Sequence, residues 1–141
     1  MVNSVLVKDG LLYAGTGTGL ITIDLKTYYS VPIPHPELFR SVKIKHIMQD
    51  SNNNLWFSTY GKAGLIKMLP DKTIVTFNRD EDAAEGDVFN LTYELSDGQI
   101  LAASNTGLTF IKDDTVVKTL GEYEGITEQI LCICEGEKGV I

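Results

Sequence analysis

Apolar and polar residues alternate along this chain in short runs, each closed by Gly, Asn, Asp or Ser. Residues 3–7, 43–49, 88–94 and 130–134 each read as a strand with a period of two. A turn rich in Asp, Asn, Ser and Gly follows each of them, residues that bond their own backbone and tolerate positive φ. A second strand then ends in a small residue and Ser or Thr, as in Ala14-Gly15-Thr16, Phe57-Ser58-Thr59 and Ala102-Ala103-Ser104. Third strands are predicted over 20–25, 65–69 and 108–112, opened by Gly19, Gly64 and Gly107. A more polar fourth strand closes the unit over 72–77 and 115–120, with a weaker copy near 28–31. No segment sustains helical periodicity, which excludes a helical solenoid.

The pattern is an internal repeat. Tyr13, Trp56 and Leu101 stand at equivalent positions, and a fourth copy opens over 136–141, with its Trp position falling just beyond Ile141. Four short strands in a unit of about 40–45 residues is the spacing of a β-propeller blade. The predicted fold is all-β: a partial β-propeller of about three four-stranded blades plus the start of a fourth. The blades fall at about 1–33, 42–78, 87–121 and 128–141. One four-stranded sheet cannot cover both of its own apolar faces, and stacking the next blade on it does so. Trp56, mid-strand and large, is predicted to plug the space between two blades.

Charge narrows the choice of partner. The formal net charge is −7, with Arg40 and Arg79 as the only arginines. Nucleic acid and anionic membrane surfaces call for a basic stripe, and this sequence has none. The start of the chain has no basic head followed by a long apolar stretch, and no apolar run approaches the roughly 20 residues of a membrane span. The chain is expected to be soluble as given, without direct membrane insertion.

Several motifs invite chemistry, and the bland reading is the better one for each. Gly15-Thr16-Gly17-Thr18-Gly19 lacks the Gly-Lys-Ser/Thr and the following helix of a phosphate loop, and the same turn recurs at Asn105-Thr106-Gly107. Asp50-Ser51-Asn52-Asn53-Asn54 has one carboxylate, where a calcium loop needs several and a distal Glu. The acidic run over 80–87 reads as a solvated link between blades rather than a paired-carboxylate glycosidase site. Cys132 and Cys134 sit two apart and lack the second pair that zinc would need. Asn90-Leu91-Thr92 fits a glycosylation acceptor but falls inside a predicted strand. Pro32-Ile33-Pro34-His35-Pro36 is a stiff connector. No catalytic residue, metal or cofactor is assigned, and the chain reads as a binding module rather than an enzyme.

Ile44, Ile47, Asp50, Asn54-Leu55-Trp56-Phe57-Ser58-Thr59 and then Gly64-Leu65 form a pattern that resembles the two-component regulator propeller repeat. In the first blade Tyr13 stands at the Trp position with Gly19-Leu20 following, and in the third Leu101 stands there with Gly107-Leu108. Glu124-Gly125-Ile126-Thr127 resembles the run that precedes a first strand in such proteins. The resemblance covers nearly the whole chain. It implies a ligand-sensing segment of a bacterial two-component-type signalling protein, in an extracytoplasmic part of a membrane-anchored parent. It also implies rings of about seven blades and, in gut-bacterial relatives, carbohydrate ligands. With about three blades, the chain is expected to be a piece of a longer sensor or to self-associate, its exposed blade faces meeting the parent's remaining blades or a second copy. An oligosaccharide is the expected small partner. A ligand would sit on the face made by the turns after the second strands and the inter-blade loops. Tyr60, Lys62, Asn105, Glu122 and Tyr123 are the candidates there, since aromatic, amide and charged groups suit sugar rings. The alternatives are a protein-interaction scaffold without a small ligand and, less favoured, a propeller glycosidase.

Overall fold

The computed structural model describes residues 1–78 and 88–141, and its strands form three antiparallel sheets. The first contains β1 (Val2–Lys8), β2 (Leu11–Thr16) and β3 (Leu20–Asp24) in that order. The second runs β4 (Lys43–Gln49), β5 (Leu55–Tyr60), β6 (Leu65–Met68) and β7 (Ile74–Phe77). The third runs β8 (Phe89–Glu94), β9 (Ile100–Ser104), β10 (Leu108–Lys112) and β11 (Thr115–Leu120). Each sheet is a meander in chain order, which is the blade the repeat predicts.

The first blade has three strands, not four. Its expected fourth strand is reduced to one bridge between Ile23 and Ser30, flanked by Val31 N–H to the Thr22 carbonyl at 2.9 Å. Pro32, Pro34 and Pro36 have no N–H to offer a ladder, so the chain leaves the sheet there. It turns through the short helix α1 (Pro36–Phe39), whose Phe39 is buried and stands edge-on to Phe57 at 5.0 Å.

Alternation decides which blade each side chain meets. Leu55 and Phe57 point back to a core shared with Tyr13 and Leu20 of the first blade. Trp56, between them in sequence, points the other way, into a core with Phe89, Ile100 and Ile111 of the third. Trp56 is 1% exposed, stacked on Phe77 at 5.7 Å between ring centres, and is the plug the sequence predicts. Tyr13 and Leu101 are buried as well.

A small motif explains the Ser/Thr-to-Gly spacing in all three blades. The backbone N–H and hydroxyl of Thr16 both donate to the Gly19 carbonyl. Thr59 does the same to Gly64, and Ser104 to Gly107. Each pair closes the turn between second and third strands.

Residues 130–134, expected as the first strand of a fourth blade, form no strand. Among the described residues no strand pairs with them, and an isolated extended segment has no ladder. Leu131, Cys132 and Ile133 nevertheless lie along a groove with His46, Leu91 and Tyr93 of the neighbouring blades. Among the described residues no helix is long and apolar enough to cross a membrane.

Candidate ligand-binding site

The antiparallel order places the turns after β2, β5 and β9 at one end of the blades, together with the connections between blades. At that end Tyr60, the last residue of β5, bridges Val88. The Asn105 N–H, in the turn after β9, donates to the Val88 carbonyl at 3.3 Å. The two side chains meet through a third residue. The Tyr60 hydroxyl donates to Asn90 Oδ1 at 2.8 Å, and Asn90 Nδ2 donates to Asn105 Oδ1 at 3.2 Å. Gln129 joins from beyond the third blade, its Nε2 donating to Asn90 Oδ1 at 3.0 Å and to the Tyr60 hydroxyl at 3.4 Å. Lys43 and Lys45, flanking Ile44 where β4 bulges, hold their Nζ atoms 4.6 and 5.9 Å from the Tyr60 ring centre.

Of the five sequence candidates, Tyr60 and Asn105 thus belong to one hydrogen-bonded cluster spanning two blades. Glu122 opens a single 3-10 turn, Glu122–Glu124, and lines a groove of about 180 Å³ with Thr106, Ile126 and Thr127. Lys62 and Tyr123 are exposed and hydrogen-bond with none of these side chains. Sequence reasoning missed Asn90, Gln129, Lys43 and Lys45. Asn90 showed itself only as a glycosylation pattern inside a strand; its side chain is buried and holds the cluster together. Gln129 carries no pattern of its own.

Neither Lys43 nor Lys45 forms an ion pair among the described residues. The acidic run over 80–87 lies outside the described residues apart from their sequence. Further along β4, burial lowers the pKa of His46, whose Nδ1 accepts the Thr92 N–H at 3.4 Å and therefore carries no proton there.

The opposite end is structural. Asp50 Oδ1 accepts the N–H groups of Asn52 and Asn54, and Oδ2 accepts Asn54 Nδ2 and Trp56 Nε1 at 2.9 and 2.8 Å. Both oxygens of the carboxylate that would anchor a calcium loop are thus engaged in shaping the turn. Among the described residues no group of three metal-ligating side chains occurs, and Cys132 and Cys134 are free and exposed.

Residues 39–61 match the family described as two component regulator propeller. No curated protein matches the chain. Among solved structures, it resembles the extracellular domain of a protein described as a hybrid two-component system of B. thetaiotaomicron. That match has 24% identity and a TM-score of 0.75, over 98% of this chain and 19% of that one. A second such domain from the same organism aligns at 16% identity and a TM-score of 0.72, over 94% of this chain and 19% of that one. Virginiamycin B lyase of Staphylococcus aureus aligns at 14% identity and a TM-score of 0.63, over 85% of this chain and 41% of that one. The chain spans about a fifth of the length of the two extracellular domains, and it shares its fold with part of the lyase. Residues 39–61 thus match the two-component regulator propeller repeat, and the chain shares the all-β blade architecture of those extracellular domains.

Proposed function

We propose that this chain is a ligand-binding segment of an extracytoplasmic sensor propeller, and that its ligand is an oligosaccharide held at the Tyr60 end. One observation carries the reading: Tyr60, Asn90, Asn105 and Gln129 form a single hydrogen-bonded cluster that crosses from one blade to the next and beyond. A ligand seated on such a cluster changes the relation between blades, so binding favours one blade arrangement over another. Its amides, the two lysines and the adjoining groove lined by Thr106 and Glu122 offer the mixed donors and acceptors that sugar hydroxyls need. Fully exposed Tyr123 adds a ring for stacking. The output domain such a sensor would drive belongs to a longer parent, in line with the short share of the sensor domains that this chain spans.

Calorimetric titration of the chain against a glycan panel tests this. The expected result is a saturable response to at least one glycan, weakened about tenfold or more in Tyr60→Ala and Asn105→Ala. Unchanged affinity in both variants removes this site. A response to no glycan removes the carbohydrate reading.

The rival reading, a scaffold that meets protein rather than sugar, is favoured by a different feature. Val5, Ala14 and Ile21 are cross-strand neighbours on the outward face of the first blade, and Val5 and Ile21 are 54% and 46% exposed. That face fits another blade, from the parent chain or from a second copy.

A further inference from the structure

The last residues of the chain are built like the first half of a blade hairpin. The Gly136 N–H donates to the Val140 carbonyl, as Asp50 does to Asn54 and Leu95 to Gln99. The fourth residue of each turn is left-handed: Gly139 at φ +73°, Gly98 at +83° and Asn53 at +64°. Just before the two later turns stand Glu94 and Glu135, and each clamps a serine in the turn of the preceding blade. By this equivalence Cys132 and Cys134 hold the places of Leu91 and Tyr93 in β8, which face Ala103 and Leu101 across the ladder. Cys132 and Cys134 face no strand, and among the described residues no main-chain hydrogen bond involves 127–135. An extended run with open N–H and C=O groups is a template for a further strand.

The sheet face beside this run is apolar and only half covered. Leu108 and Phe110 alternate along β10 with the buried Thr109 and Ile111, and so lie on the third blade's outward face, where both are half-buried. Leu65 holds the place of Leu108 in the second blade, one residue after the turn glycine, and is fully buried there. What covers Leu65 comes from the second and third strands of the next blade: Ile100, Ala102 and Ile111. Nothing equivalent covers Leu108 and Phe110 among the described strands, and Leu131 in the open run is 64% exposed.

We propose that residues 130–141 and the Leu108–Phe110 face together accept a β-hairpin with the chemistry of the repeat's own second and third strands. Its first strand pairs along 130–134 and gives the Cys132 and Cys134 backbones their ladder. Its inward row, small and branched apolar residues in the manner of Ile100, Ala102 and Ile111, covers Leu108 and Phe110. The existing turn and the Glu135 latch fix where that strand starts, so the surface is preorganised for a hairpin in one register. The contact does not depend on the oligosaccharide reading.

The test is a titration of the isotope-labelled full chain with an unlabelled synthetic peptide that has the sequence of residues 99–112, following the amide resonances of Cys132, Ile133 and Cys134. These are expected to shift saturably, and the Cys132 and Cys134 amides to exchange with solvent at least about tenfold more slowly. The same peptide with Leu101→Pro lacks the N–H that would meet Cys134, and is expected to bind at least about tenfold more weakly. No saturable shift overturns the proposal. So does equal binding of the two peptides, which would mean apolar adhesion without strand pairing. Shifts centred on Val5 and Ile21 would place the hairpin on the first blade's outward face and overturn it as well.

Discussion

Asp50 and Trp56 show how one residue pair ties a turn to a core. The indole ring fills the space between the second and third blades, while its N–H reaches the carboxylate that shapes the turn after β4. Trp56→Ala therefore removes both a large buried volume and a donor, and is expected to cost about 3–5 kcal/mol in urea melts. A loss under about 1 kcal/mol would contradict the inter-blade position. His46 gives a pH signature of opposite character. Burial lowers its folded pKa below the ordinary 6.5, so the unfolded chain binds more protons near and below that pH. The stability tied to neutral His46 is present above pH 6.5 and is lost as pH falls toward the folded pKa. Melts of the wild type and of His46→Gln between pH 7.5 and 5 should show a smaller acid loss in the variant. Equal slopes would mean that His46 is not the group responsible.

At the scale of the element, Gly64 and the inter-blade latches separate what the sequence reveals from what it conceals. Gly64 has φ +64°, and a Cβ there would collide with the carbonyl oxygen of Phe77. Gly64→Ala is expected to lose at least about 1–2 kcal/mol, since an L-residue resists that backbone region and the neighbour is rigid main chain. A thermal melt unchanged from wild type would refute this. Strand order, the Ser/Thr-to-Gly turns and the Trp56 plug were all legible, because each follows from alternation and a repeat that can be laid over itself. The latches were not. Glu94 binds the backbone N–H and hydroxyl of Ser51 at 2.8 and 2.5 Å, and Glu135 binds those of Ser96 at 2.7 and 2.6 Å. In both, the carboxylate clamps a turn in the preceding blade, a match visible only once the blades are stacked. Asn90 escaped notice for the same reason, since its partners come from three separate stretches of chain. The strand expected at 130–134 failed because alternation predicts a face and not a partner. Glu135, just after it, still makes the latch that a following blade would make.

On the scale of the whole molecule, the outward face of the first blade carries the next consequence. Cross-strand pairing lays Val5, Ala14 and Ile21 in one row and Val7, Leu12 and Ile23 in the next, all apolar. The corresponding row of the second blade, Ile47, Phe57 and Ile66, is buried against the first. The repeat thus builds on the first blade a face of the kind that a preceding blade covers in the second, and exposed apolar area of this kind promotes association. At the other end of the chain Leu131, Val140 and Ile141 are more than half exposed. A contact between these two different surfaces is head-to-tail, and such contacts form rings only when the rotation closes. Light scattering across a concentration series is expected to show a mass that rises above 15.5 kDa. The double variant Val5→Lys, Val7→Lys should bring it back toward the monomer, because two charges cannot be buried there without partners. A wild-type mass that stays monomeric throughout would overturn association between copies through this face. A variant that associates as the wild type does would place the contact elsewhere, and the first blade's outward face would lose its role in assembly.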